Sequence, residues 1–207
     1  MLAPFHRLIT TQALSAYFHP KALEVIISAN LGQDSLRGQV GHPEYHFDQN
    51  AFAASSAYIE RNRQLIHSAL EARQPLPARQ ALGRLTHAAQ DFYAHSNYVT
   101  RWLSRFPEAH WPPPDEIDPL DDRLLQGAEL RSGKIYLPLE PLAWIPGIGQ
   151  MVLQLLPRDS HAWMNLDSPR RGPAFAYALA AAIKRTRREY ELTIDGLPSA
   201  LVAVFTK

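Results

Sequence analysis

Leu82-Gly-Arg-Leu-Thr-His-Ala-Ala-Gln-Asp-Phe-Tyr-Ala-His-Ser-Asn97 is the stretch on which the reading of this chain turns. It sets His87, Asp91 and His95 four residues apart, twice over. On an α-helix each step of four advances one turn and about 40° around the axis, so the three side chains form a ladder on one face. Neither Gly nor Pro lies between His87 and His95, which leaves a helix uninterrupted there. The bland reading of such spacing is a solvated polar face. Leu85, Ala88, Phe92 and Val99 alternate with the ladder, however, and put it close to the apolar side. Two imidazoles around a carboxylate suit a borderline-soft divalent metal, zinc above all.

The bulk numbers narrow the setting. The 207 residues suffice for one domain with a sizeable core. Hydrophobic residues make up 46%, an ordinary globular share, which argues against wholesale disorder. Lys plus Arg is 21 against 20 Asp plus Glu, a formal charge of +1, so nucleic acid is an unlikely partner: a general nucleic-acid binder carries a strong basic excess. There is no cysteine, which excludes disulfides and thiolate zinc sites and leaves His and carboxylates as ligands. Nine histidines favour a His-based site. The N-terminal Met-Leu-Ala-Pro-Phe-His lacks a basic region followed by an apolar core, so no signal peptide is expected. No uninterrupted transmembrane run is seen either. The expected location is cytoplasmic, or exported by a non-classical route.

Outward from the ladder, helical patterning dominates. Leu8, Ala13 or Leu14, and Tyr17-Phe18 fit a short amphipathic helix with His6 at its start, where a lone His reads as a cap or surface residue. Pro20 opens a second, strongly apolar helix that ends near Asn30-Leu31-Gly32, with Asp34 in the following break, there either the N-cap of another turn or a ligand. Val40 to Asn50 is a loop holding His42, Glu44, His46 and Asp48. Asp48 or Asn50 is read as the N-cap of a long helix over residues 50–72, and His46 as free to point back at a metal. His67 in that helix reads as a boundary residue. The ladder helix is expected from near Ala78 to Phe106.

Residues 107–157 differ from the rest, with Pro112-Pro113-Pro114, the acidic run from Asp115 to Asp122 and several more prolines. Such an irregular excursion is a functional loop or lid. Its apolar end, Ile135 to Leu156, is broken by Pro138, Pro141, Pro146, Gly147 and Gly149, so it does not span a membrane. Packing over the core is the preferred reading, and a lipid-contacting rim with Trp144 and Ile145 in an interface is the alternative. Asp159 to Ser168 is a third polar cluster containing His161. A last long helix starts near Gly172-Pro173, and its basic run Lys184-Arg-Thr-Arg-Arg188 is read as complementing the dipole near its C-terminal end. A turn at Ile194 to Pro198 and a short helix over residues 199–205 follow. The expectation is one mostly α-helical domain, 1–207, a bundle with the long irregular region inside it, in which His6, Asp34, His46, His87, Asp91, His95 and His161 can converge.

The segment from Gly83 to Val99, with His-x-x-x-Asp-Phe-Tyr-Ala-His-Ser-Asn, resembles the signature of the Het-C (heterokaryon incompatibility) family. Ser160-His-Ala-Trp-Met-Asn-Leu-Asp-Ser168 resembles that family's later His-x-x-x-Asn-Lys-Asp-Ser segment, with Leu166 replacing the Lys. More distantly the order is similar to zinc-dependent phospholipase C and the single-strand-specific zinc nucleases. That likeness implies a phospholipase C-type helical bundle with two zinc ions. It makes Asp91 their bridge, with His87, Asp34 and His46 on one ion and His6 on the other, and leaves His95 and His161 as candidates for a third. The N-terminal Trp ligand of those enzymes has no counterpart, since Trp102 is the first Trp here. The implied activity is phosphodiester hydrolysis of a phospholipid by metal-activated water, with Asp34 and Asp91 as catalytic residues. Two alternatives stand beside it. One is a nuclease on the same scaffold. The other is a non-catalytic, zinc-stabilised signalling or cell-death module with a protein partner.

Overall fold

A computed structural model describes residues 1–39 and 41–207, with the backbone alone at Trp144. The chain is mostly helical, and no strand forms among the described residues. The helices are α1 (Ala3–Leu14), α2 (Pro20–Leu31), α3 (Leu36–Gln39), α4 (Pro43–His46), α5 (Phe52–Glu71), α6 (Pro75–His95), α7 (Tyr98–Leu103), α8 (Asp122–Leu125), α9 (Gly149–Leu155), α10 (His161–Met164), α11 (Ala174–Ile194) and α12 (Ser199–Thr206). None is long and apolar enough to cross a membrane.

α6 is the axis of the molecule. It packs against α2, α5 and α11, and every residue from Leu85 to His95 is buried. A helix buried all round is one whose polar residues must find partners inside the protein. This is why the His87–Asp91–His95 ladder is not a solvated face. Pro20 and Pro75 both sit in first turns, where the missing N–H is no loss. Gly83 permits close approach of α2 to α6. A Cβ there would lie 2.3 Å from the Ile26 carbonyl oxygen and 2.9 Å from the Asn30 nitrogen.

Four expectations need correction. The ladder helix ends at His95, not Phe106: Ser96 is extended and donates its Oγ–H to the Phe92 carbonyl, and α7 follows as a separate helix. His6 is no cap, because α1 starts at Ala3 and buries His6 completely. Neither Asp48 nor Asn50 caps α5, whose preceding residue, Ala51, makes no side-chain cap. The basic run lies mid-helix in α11. There Arg185 reaches Glu189 at 2.5 Å and Lys184 binds the carbonyls of Asp115 and Ile117, so the charges tie down neighbours and do not complement a helix end.

The excursion 107–157 is a series of short turns around α8 and α9. Its apolar end does not merge with the main core. Val152 and Leu156 form a small cluster with Ala162, while Leu137, Met151 and Leu155 remain 75%, 63% and 68% exposed. The expectation about the Trp144 side chain, like any about Val40, lies outside the described residues.

Candidate metal centre

The end of α6 gathers the centre. A helix leaves its last carbonyls without intrahelical partners. Here the Ala94 carbonyl accepts from Leu166 N at 2.8 Å and the His95 carbonyl from Gly133 N at 2.9 Å. These two bonds draw in the segments carrying residues 132–134 and 161–167. The ladder, the start of α1, the break after α2, the turn around α4 and the region of α10 therefore meet in one place.

Two clusters result, and each can hold a metal ion: His6, Asp34, His87 and Asp91, and beside it Asp48, His95 and His161. In the first, neighbours decide where the imidazole protons sit. His6 Nδ1 donates to Gln90 Oε1 at 2.6 Å, His87 Nδ1 to Asn30 Oδ1 at 3.4 Å, and His46 Nε2 to the Gly38 carbonyl at 3.4 Å. The opposite nitrogens face the Asp91 carboxylate. His6 Nε2 lies 3.2 Å from Asp91 Oδ1, His87 Nε2 3.1 Å from Asp91 Oδ2, and His46 Nδ1 2.9 Å from the same oxygen. His87 Nε2 and His46 Nδ1 are 3.1 Å apart. His6 Nε2 is fully buried with no hydrogen-bond partner among the described residues, a position that fits a metal ligand. Gln90 and Asn30 thus orient the rings as groups behind metal-binding histidines do.

Burial pushes the His87 imidazole well below its ordinary range and keeps it neutral, the form that binds metal. Burial also opposes the charge of Asp91, yet the Met1 ammonium and the surrounding imidazoles hold that carboxyl well below its usual value. The Met1 amino group touches Asp91 and lies 3.2 Å from Asp167 Oδ1. Burial works against its charge, but Asp167 and Asp91 prevail and push it up to about 11. Asp34 stands apart in being partly open, 3.7 Å from His87 Nε2 and 3.9 Å from His6 Nε2. Burial and the nearby Asp91 raise its pKa.

The second cluster balances itself by ion pairing. His95 Nδ1 donates to the His46 carbonyl at 2.9 Å, and its Nε2 lies 3.1 Å from Asp167 Oδ1. His161 Nδ1 is 2.9 Å from Asp48 Oδ1. Despite burial, the adjacent carboxylates raise His95 well above its ordinary value and push His161 up to about 9. The turn carrying Asp48 is strained, since Phe47, Gln49 and Asn50 all have positive φ. It is held by Gln49 N bonding the Gly133 carbonyl and by reciprocal bonds between Asn50 and Ser132. Backbone strain of this kind concentrates at functional sites.

All seven residues expected from sequence meet here. His42 does not; it pairs with Glu44 at 3.1 Å. Asp48 and Asp167 were missed as site residues. Asp48 was assigned to a cap, and Asp167 was visible only as the carboxylate six positions after His161. Asp34, His46, Asp48, His95, His161 and Asp167 line one cleft of about 560 Å³, with Leu2, Ile135 and Pro141 on its apolar side.

A family model, the VWA7 N-terminal domain, matches residues 5–115, more than half of the 207-residue chain. The chain belongs to the VWA7 N-terminal domain family. The rat von Willebrand factor A domain-containing protein 7 is 37% identical over 93 residues, 44% of this chain and 10% of the relative. The human protein of that name is 33% identical over 113 residues, 51% of this chain and 13% of the relative. The chain thus matches only about a tenth of the length of these curated relatives. No solved structure matches. This corrects the resemblance to Het-C and to phospholipase C: the matched region contains the ladder, and the family it identifies is the VWA7 N-terminal domain. A His-x-x-x-Asp-x-x-x-His ladder is a solution to metal-binding geometry on a helix, and its spacing does not discriminate between families.

Proposed function

We propose that this VWA7 N-terminal domain is a zinc-dependent phosphodiester hydrolase acting on a phospholipid headgroup. The observation that carries the reading is the convergence of three imidazole rings, from His6, His46 and His87, on the Asp91 carboxylate beside an open cleft. His6, His46, His87 and Asp91 would hold zinc, with Asp34 at the open edge of the same cluster. Asp48, His95, His161 and Asp167 form a further set. Nitrogen and carboxylate donors in these numbers fit zinc better than magnesium or calcium, which prefer all-oxygen shells. Zinc bound there supplies a Lewis acid for a phosphoryl oxygen and lowers the pKa of a water towards neutrality.

The chain's own groups supply the rest. Asp34 is the one carboxylate of the first cluster that is open to the cleft, and its raised pKa suits a base that takes a proton from the attacking water. Asp91 is fully buried and held by its partners, so it binds and does not exchange protons with solvent. Where zinc occupies only the first cluster, His95 and His161 stay cationic and bring positive charge to the wall where a phosphate would sit. Leu2, Ile135 and Pro141 give the cleft an apolar flank suited to a lipid ester.

The test is metal analysis of the purified protein together with hydrolysis assays on phosphatidylcholine, phosphatidylglycerol and single-stranded DNA. Bound zinc and turnover of a phospholipid, lost in Asp34→Asn with zinc retained, is the expected result. Zinc without turnover of any of the three substrates would overturn the hydrolase reading and leave a structural metal site. Turnover of DNA alone would replace the lipid by a nucleic acid.

A further inference from the structure

The excursion from Ile135 to Pro157 leaves the body of the protein and returns to the same point. Lys134 N donates to the Asp159 carbonyl at 2.8 Å and His161 N to the Lys134 carbonyl at 2.8 Å, which closes its neck. Seven large apolar side chains between Leu137 and Leu155 are at least 37% exposed. They are half of the fourteen such residues across the described chain, concentrated in 19 positions. Clustering on that scale marks a contact surface.

Charge sharpens what kind of surface. Glu140 is the one charged residue from Ile135 to Pro157, and it is buried, accepting from the Ala162 and Tyr136 backbone nitrogens. The tip therefore exposes no charge. The neck is basic on balance: Arg131 and Arg158 are exposed, Lys134 pairs with Asp159 at 2.8 Å, and Glu129 is the acid beside Arg131. Arg158 lies over the Trp163 ring, 3.8 Å from its centroid. An apolar, uncharged tip above a cationic collar is the layout of a segment that seats in the interfacial zone of a bilayer, with its basic groups among anionic headgroups. The same segment supplies Ile135, Glu140 and Pro141 to the cleft wall.

We propose that the segment from Leu137 to Leu155 docks the protein onto an anionic lipid surface and opens the metal-lined cleft towards the headgroups. This deepens the hydrolase reading, and it is tested by binding alone, so failure of either is separable from failure of the other.

The experiment is flotation of the full chain with vesicles of phosphatidylcholine, with and without 30% phosphatidylglycerol, at low and physiological salt. The wild type is expected to float with the mixed vesicles, more weakly with pure phosphatidylcholine, and less as salt rises. Leu137→Asp/Met151→Asp/Leu155→Asp, all at exposed positions, is expected to bind at least about tenfold more weakly, since each aspartate replaces buried apolar area with a charge. Arg158→Glu, which leaves the tip intact, is expected to lose the preference for the anionic vesicles. A soluble wild type under all conditions overturns the proposal, as does binding by the triple variant equal to wild type. A wild-type dimer in sedimentation, with no vesicle binding and with dissociation in the triple variant, overturns it too and assigns the face to a second copy. Vesicle binding without phospholipid turnover supports this proposal and counts against the hydrolase.

Discussion

His6 meets its surroundings with one N–H and one lone pair, and Gln90 decides which nitrogen carries which. The Gln90 Oε1 accepts from His6 and, at 3.2 Å, from Asn30, while its Nε2 donates to Thr10 and Thr186 at 3.1 Å each. Gln90→Leu keeps the volume but removes the acceptor, freeing His6 to turn its proton towards Asp91. Zinc affinity is expected to fall about 10–100-fold, read by competition with a chromogenic chelator; an unchanged constant would show that Gln90 does not set the ring. A second residue-scale effect belongs to the metal-stripped protein. His161 is pushed from its ordinary 6.5 up to about 9 in the fold. Because the folded state binds that proton more tightly, the stabilisation is complete below about pH 6.5 and is lost as pH rises through about 9. His95, also raised, acts in the same direction. The melting temperature of chelator-treated protein should therefore decline across that window, and Asp48→Asn should flatten the decline. A profile that rises from pH 6.5 to 9 would contradict the ion pairing.

At the scale of elements, the α2–α6 contact is what brings Asn30 to His87, and Gly83 sets its closeness. Gly83→Ala forces a methyl onto the Ile26 carbonyl, so the helices must part. Overpacking of this kind costs about 1–3 kcal/mol, or a melting temperature lower by roughly 2–12 °C for a chain of this size, visible by calorimetry. A neutral substitution would mean the helices slide apart without loss. The long helices were legible in the sequence because their apolar spacing and their first-turn prolines are local signals. The stop at His95 was not, because Ser96 and Asn97 end the helix with neither Gly nor Pro, through an extended backbone and bonds to the segment around Arg131. Asp48 was hidden for a related reason. Its position depends on left-handed Phe47, Gln49 and Asn50, residues that adopt that conformation only when distant groups, here Ser132 and Gly133, hold them there. Asp167 meets His95 across 72 positions, a separation that no local pattern encodes. That the ladder belongs to a cluster able to hold a metal was readable from residue types, whereas the family was not, because such donor spacing on a helix does not discriminate between families.

For the molecule as a whole, the centre ties α1, α2, α4, α6 and the region of α10 together, so metal occupancy should govern global stability. Four carboxylates, Asp34, Asp48, Asp91 and Asp167, crowd around it. Without metal, their charge is offset by imidazolium groups, the Met1 ammonium and, at Asp167, Arg171. An ion that binds the folded state alone stabilises it in proportion to the logarithm of its concentration, about 2.7 kcal/mol at a hundredfold excess over Kd. For a domain of this length that is a rise in melting temperature of about 5–11 °C. Calorimetry of the stripped protein at increasing free zinc should show this climb, and magnesium or calcium should give little of it, since nitrogen donors select against them. Asp91→Ala is the decisive companion. Removing that carboxylate leaves the buried Met1 ammonium without one of its two carboxylate partners, so the variant should be less stable than wild type even when stripped, and it should respond only weakly to zinc. A variant that climbs with zinc as the wild type does would show that Asp91 does not hold the zinc.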